Sequence, residues 1–172
     1  TSTNLNYLRR IKEVSPQIRT GYIMSVAYGR VELLEYADFL SVHYDCVNER
    51  FMERAHEAGK EVHVWTVNSR KLMRRMKALG ADLPKYAVMP RTPGDVLALL
   101  AATWEASSEI GPVITMSMGE LGKITRAGGG VFGSCLTFGA GLNASAPGQI
   151  DAQNLRAILE DLQPYDSGAR GC

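Results

Sequence analysis

Lys85 follows Pro84 and opens the run Tyr86-Ala87-Val88-Met89, which places an amine at the start of a short extended segment. Side chains alternate along a strand, so Lys85, Ala87 and Met89 share one face while Tyr86 and Val88 take the other. An amine turned into an apolar interior loses hydration, which favours its neutral, nucleophilic form. By pattern alone, a lysine beginning a strand is more often a solvated charge. Arg126, in Ile124-Thr125-Arg126, carries a planar fork suited to two hydrogen bonds with a carboxylate. Its plainer reading is a helix-end cation near the last carbonyls. Ala144-Ser145-Ala146-Pro147-Gly148-Gln149 is turn-forming sequence that carries a hydroxyl and an amide.

The remaining reactive side chains read as structural. His63 sits mid-strand, is assigned the face opposite Trp65, and is expected to pack; His43 and His56 have no better claim to catalysis. Arg70, Lys71, Arg74, Arg75 and Lys77 form a basic helix face opposite Leu72, Met73, Met76 and Leu79, the pattern of a solvated charged face. Gly128-Gly129-Gly130 lacks the lysine-serine ending of a P-loop. No cluster between Leu5 and Gly80 is suited to a divalent cation, and no metal site is expected. Cys46, Cys135 and Cys172 have no metal-type spacing; an odd count far apart reads as reduced thiols and a cytoplasmic setting, with Cys172 open to adventitious crosslinking.

These residues are spaced by a repeating strand-helix unit. Expected strands are Gly21 to Val26, Asp38 to Tyr44, Val62 to Val67, Lys85 to Met89, Val113 to Met118 and Cys135 to Gly139. Helical spacing covers Leu8 to Val14, Glu49 to Ala58, the stretch after Asn68 or Ser69 to Leu79, Gly94 to Ala106, Glu120 to Arg126 and Ala152 to Leu162. Thr92-Pro93 supplies a cap and a first-turn proline. Strands joined by helices must run parallel. The expected fold is therefore α/β, a partial TIM (β/α) barrel of about six parallel strands within a single domain over 1–172. A flattened, doubly wound (flavodoxin-like) sheet is the alternative. Closure of a (β/α) barrel needs eight strands and typically ~250 residues. Six would leave open edges, which predicts a homo-oligomer.

At 172 residues, 45% hydrophobic and 22% charged, the chain is long enough to bury a core and too apolar to be disordered. Its formal net charge of +1 gives no argument for a nucleic-acid partner. No apolar run reaches the roughly 18 residues of a membrane span, and the polar start does not read as a signal peptide.

Longer words carry a family resemblance. Ala81-Asp82-Leu83-Pro84-Lys85-Tyr86-Ala87-Val88-Met89-Pro90, Pro112-Val113-Ile114-Thr115-Met116-Ser117-Met118, Val131-Phe132-Gly133-Ser134 and Ala144-Ser145-Ala146-Pro147-Gly148-Gln149-Ile150 resemble type I 3-dehydroquinate dehydratases over about 82–163. The resemblance implies a lyase of the shikimate pathway that dehydrates 3-dehydroquinate to 3-dehydroshikimate without a cofactor. Lys85 would form the Schiff base, Arg126 would hold the substrate carboxylate, and Ser145 and Gln149 would belong to the loop that closes over it. Aligned by strand end, Ser69 stands where that family has its acid/base histidine. Glu61-Val62-His63-Val64-Trp65-Thr66-Val67-Asn68, with Gly21 to Ala27, instead looks like later strands of glycerophosphodiester phosphodiesterases over about 5–80. The expectation is a chimera of two (β/α)-barrel fragments, engineered or recombined, that is inactive or weakly active. A self-associating scaffold is the further alternative.

Overall fold

The computed structural model describes residues 1–26 and 30–162, so the expectations for Ala27, Cys172 and the end of the 82–163 span lie outside the described residues. The chain divides into two compact units, Thr1–Lys85 and Tyr86–Cys172.

The first unit starts with α1 (Leu5–Val14), capped by the Asn4 side chain, and continues into β1 (Gly21–Met24) and β2 (Phe39–His43). Next come α2 (Glu49–Glu57), β3 (Glu61–Trp65), α3 (Arg70–Ala78) and the start of β4 (Leu83–Val88). Asn48 and Ser69 cap α2 and α3 by accepting from Phe51 N and Leu72 N, as short polar residues do at helix starts. The strands pair in parallel, Gly21 with Phe39, His43 with Trp65 and His63 with Leu83.

That register sorts the side chains into two faces. Leu40, Val42, Val62 and Val64 lie on one face and are fully buried. With them are buried Leu8 of α1, Met52 and Ala55 of α2, and Met73 and Met76 of α3. Each such burial is worth roughly 1.5–3 kcal/mol, so this apolar layer fixes the strands against the helices. The opposite face is mixed: Gly21, Phe39, Ser41, His43, Glu61, His63 and Trp65. A Cβ on Gly21 would lie 2.2 Å from the Phe39 ring, so only glycine permits that neighbour.

The second unit holds the end of β4, α4 (Pro93–Ile110), β5 (Ile114–Ser117), α5 (Gly119–Gly128) and α6 (Ala152–Leu162). Thr92 and Asp95 form a reciprocal capping box on α4: Asp95 N donates to Thr92 Oγ1, and Thr92 N to Asp95 Oδ2 at 2.8 Å. Every residue of β5 is buried. Met118 N donates to Val88 O at 2.8 Å, beside β4.

The expected sixth strand, Cys135 to Gly139, is not a ladder strand. Only Ser134 bridges to Val113, and Cys135 N donates to Val113 O. Two residues beyond Val113, the Ser134 hydroxyl takes the place of a backbone partner, accepting from Thr115 N at 3.0 Å. The ladder stops there, and the described residues hold five strands. Their sheet order is β1-β2-β3-β4-β5. A doubly wound sheet reverses its order at a switch point; this one does not, so the topology is that of consecutive units of a (β/α) barrel. No helix among the described residues is long and apolar enough to cross a membrane.

Candidate active site

Lys85 is half-buried on β4. Because Leu83 is registered with His63, Lys85, two residues on, shares the face of His63 and Trp65. Its carbonyl accepts from Val67 N at 2.8 Å, which ties β4 to the chain leaving β3. His63 packs, as expected: it is 7% exposed and stacked on Phe39 with ring centroids 4.2 Å apart. Burial pushes its pKa below the ordinary histidine value, against the opposing pull of the Glu61 carboxylate 3.3 Å away. It does not lie opposite Trp65, however, since residues two apart on a strand share a face.

His43 is the residue that sequence reasoning passed over. It ends β2 on the same face and is registered with Trp65, the end of β3. Its ring meets Trp65 edge-on at 5.2 Å, and Nδ1 lies 3.5 Å from Asp45 Oδ2. The indole Nε1 of Trp65 is buried and meets no acceptor among the described residues. Register pairs His43 with Trp65 and, through His63 and Leu83, sets Lys85 level with Trp65 on the same face. Ser69, which alignment by strand end set in the place of the family histidine, instead lies four residues beyond the end of β3 at Trp65 and is occupied in capping α3.

In the second unit, Thr125 fixes α5 against the end of β5. Its hydroxyl accepts from Ser117 N at 2.9 Å and donates to Gly122 O at 2.8 Å. The next residue, Arg126, is thereby turned inward and is 1% exposed. Nη1 lies 3.6 Å from Met116 Sδ and donates to Phe138 O at 3.4 Å; Nη2 donates to Pro147 O at 3.2 Å. Nε meets no acceptor among the described residues. Burial holds the guanidinium pKa below its usual value. A cavity of about 280 Å³ beside it is lined by Leu136, Thr137, Leu159 and Leu162 among others.

Ser145 and Gln149 come together, as the loop reading expected, but they bind each other. Gln149 Oε1 accepts from Ser145 N at 2.6 Å, Ser145 Oγ at 3.2 Å and Ala146 N at 3.2 Å. Pro147 of the same loop reaches Arg126. Arg126, Ser145 and Gln149 thus form one cluster in the second unit, while Lys85 belongs to the first. Among the described residues no His/Cys/Asp/Glu group suited to a metal ion occurs.

Parallel strands in sequential order define units of the (β/α)-barrel fold. Within it, the family model for type I 3-dehydroquinase matches residues 46–166, more than half of the chain. The chain belongs to the type I 3-dehydroquinase family. The model for the glycerophosphoryl diester phosphodiesterase family matches residues 1–83, so 46–83 answers to both. The dehydratase similarity therefore begins well before residue 82, where the sequence words placed it.

Among relatives, a 3-dehydroquinate dehydratase of Listeria monocytogenes serotype 4a is 60% identical over 89 residues, 51% of this chain and 35% of the relative. That of Geobacillus kaustophilus is 47% identical over 120 residues, 62% of this chain and 47% of the relative. That of Syntrophotalea carbinolica is 45% identical over 145 residues, 78% and 56% respectively. The chain thus spans about a third to a half of these relatives' lengths. The crystal structure of the Geobacillus kaustophilus enzyme superposes with a TM-score of 0.79 at 31% identity, covering 94% of this chain and 74% of that one. The Clostridium difficile enzyme, with covalent modified comenic acid, gives 0.76 at 29% identity, covering 92% and 76%.

Proposed function

We propose that this chain retains the imine-forming step of 3-dehydroquinate dehydration and carries the rest of the reaction feebly. The observation that carries the reading is Lys85, half-buried on the same β4 face as Trp65 and inside the span that matches the dehydratase family. Its Nζ attacks the ketone carbon of 3-dehydroquinate, the ketone oxygen leaves as water, and a C=N bond joins substrate to protein. Arg126 supplies the cation for the substrate carboxylate, with Ser145 and Gln149 in the adjoining loop. Loss of the α-proton and of the hydroxyl then needs a proton-transfer group. β3 ends on Trp65 rather than on a histidine, and Ser69 beyond it is engaged as a helix cap, which supports a turnover lower by about 10²–10⁴-fold than in a relative with the histidine.

The chain is read as a chimera of (β/α) units. The phosphodiesterase-family match ends at residue 83 and the compact units divide after Lys85, both beside the join read near Gly80 to Leu83, while the dehydratase-family match runs across it from residue 46. Exposed Tyr7, Ile11 and Val14 on α1 supply an apolar surface for self-association. Cys46, a free thiol, suits a reducing, cytoplasmic setting.

The test is to incubate the protein with 3-dehydroquinate, reduce it with borohydride and weigh it intact. Borohydride delivers hydride to the imine carbon and leaves a stable secondary amine. One adduct per chain, absent in Lys85→Met, supports the reading. An unchanged wild-type mass leaves a scaffold without this chemistry.

A further inference from the structure

Val42, Val64 and Pro84 are buried on the helix-packed face of the first unit, so the next residue of each strand, His43, Trp65 and Lys85, takes the other face. In (β/α) units that other face is the barrel interior, and reacting groups gather at the carboxyl ends of the strands. The three residues are level with one another by register. Neighbouring strands lie about 4.8 Å apart, so the backbones of His43 and Lys85 stand about 10 Å from each other, with Trp65 between them. A six-membered ring held as an imine on Lys85 suits that interval. The Trp65 indole Nε1 is a buried donor that meets no acceptor among the described residues, and it is available to an oxygen of such a ring.

His43 is equipped to move a proton there. Its side chain is 30% exposed, and its plane is held by Trp65, edge-on at 5.2 Å, and by the Tyr44 ring at 4.4 Å. Nδ1 lies 3.5 Å from Asp45 Oδ2, while Nε2 meets no partner among the described residues. A proton held on Nδ1 toward the carboxylate leaves Nε2 as the basic nitrogen, since the bond made by one ring nitrogen sets the role of the other. The second histidine of this face, His63, is less suited. It lies two residues, about 6.6 Å, nearer the amino ends of the strands, and it is buried under Phe39 with Nε2 3.3 Å from Glu61 Oε2.

We propose that His43 Nε2 is the base that removes the proton from the carbon beside the imine, acting from two strands away. This rests on the reading of Lys85 as the imine-forming amine and adds the group that acts next. The C–H electron pair becomes the C=C bond of an enamine as the C=N pair moves onto nitrogen. The enamine then expels the hydroxyl of the following carbon and restores C=N. That hydroxyl leaves as water with the proton His43 took, and hydrolysis of the imine returns the Lys85 amine. A base two strands from the amine works at longer reach than one beside it, in keeping with feeble turnover.

The experiment separates proton removal from imine formation. The full chain is incubated with 3-dehydroquinate in deuterium oxide. Deuterium entering the methylene beside the ketone is read by NMR, and imine is read in parallel by borohydride trapping. Exchange in Lys85→Met is the background. The wild type should exchange above that background. His43→Gln should trap as much imine on Lys85 and exchange about tenfold more slowly, short of the 10²–10⁴-fold effect of a fully aligned base. His63→Gln should exchange like the wild type. Undiminished exchange in His43→Gln, or a loss that follows His63→Gln instead, overturns the assignment. Imine trapped in the wild type without exchange above background overturns it too and leaves the Lys85 chemistry standing. Absence of imine from the wild type defeats that chemistry and this step with it. His43→Asn serves if His43→Gln traps no imine; loss of imine in both makes the role structural and overturns the proposal.

Discussion

Replacing Arg126 with methionine should make the protein more stable. The guanidinium is 1% exposed and, among the described residues, has no carboxylate contact and an Nε donor that meets no acceptor. A buried unsatisfied donor costs about 1–3 kcal/mol, and an unpaired buried charge adds to that. Against this stand bonds to two carbonyls, roughly 1.5–3 kcal/mol each for a charged donor, the 3.4 Å bond at the weak end. Methionine fills much of the same space with a flexible apolar chain that suits the Met116 neighbourhood. Desolvating the unpaired charge costs several kcal/mol beyond the donor's share, and only that makes the balance a gain of about 1–2 kcal/mol. Urea unfolding reads this as a midpoint raised by about 0.5–1 M for an m-value near 2 kcal/mol/M. In the wild type, 3-dehydroquinate at 100 times its Kd should add about 2.7 kcal/mol, and in Arg126→Met almost nothing. A midpoint that falls in the variant would show that the carbonyl contacts outweigh the burial cost, and the reasoning would fail.

Gly21→Ala should lose about 1–3 kcal/mol by chemical denaturation, because the added Cβ meets the Phe39 ring. Phe39→Leu in the same chain should recover part of that loss, a coupling that a double-mutant cycle measures. Thr92→Ala removes one half of the α4 capping box and should cost about 1 kcal/mol, with Asp95→Ala non-additive beside it. Burial holds the folded pKa of His63 below the ordinary histidine value of about 6.5. Above that pH it is neutral in both states and contributes nothing. As pH falls below 6.5 the unfolded chain binds the proton first, so stability declines toward the lowered folded pKa. His63→Phe should flatten this part of the stability–pH curve.

Much of the fold was legible because its two periods are clean. The apolar face of α6 gave Ala152 to Leu162, the span observed, and Thr92-Pro93 marked the start of α4. Cys135 to Gly139 has the composition of a strand but not the ladder, since the Ser134 hydroxyl intercepts the next pairing; no local pattern announces a side chain bonding across to Thr115. At the candidate site, the sequence words picked out Lys85, Arg126, Ser145 and Gln149. They did not show that Arg126 would be buried against carbonyls, or that Gln149 would close on its own loop. The first is an outcome of packing between segments 12 and 21 residues apart, and the second of a side chain folding back four residues within its loop. His43 was missed because its place beside Trp65 depends on strand register, which a single strand does not encode.

The most direct test is peptide-level mass spectrometry of protein reduced with borohydride in the presence of 3-dehydroquinate. The account predicts a single modified peptide, with the reduced adduct on Lys85. Modification spread over Lys60, Lys71, Lys77 and Lys123, or none at all, would contradict it.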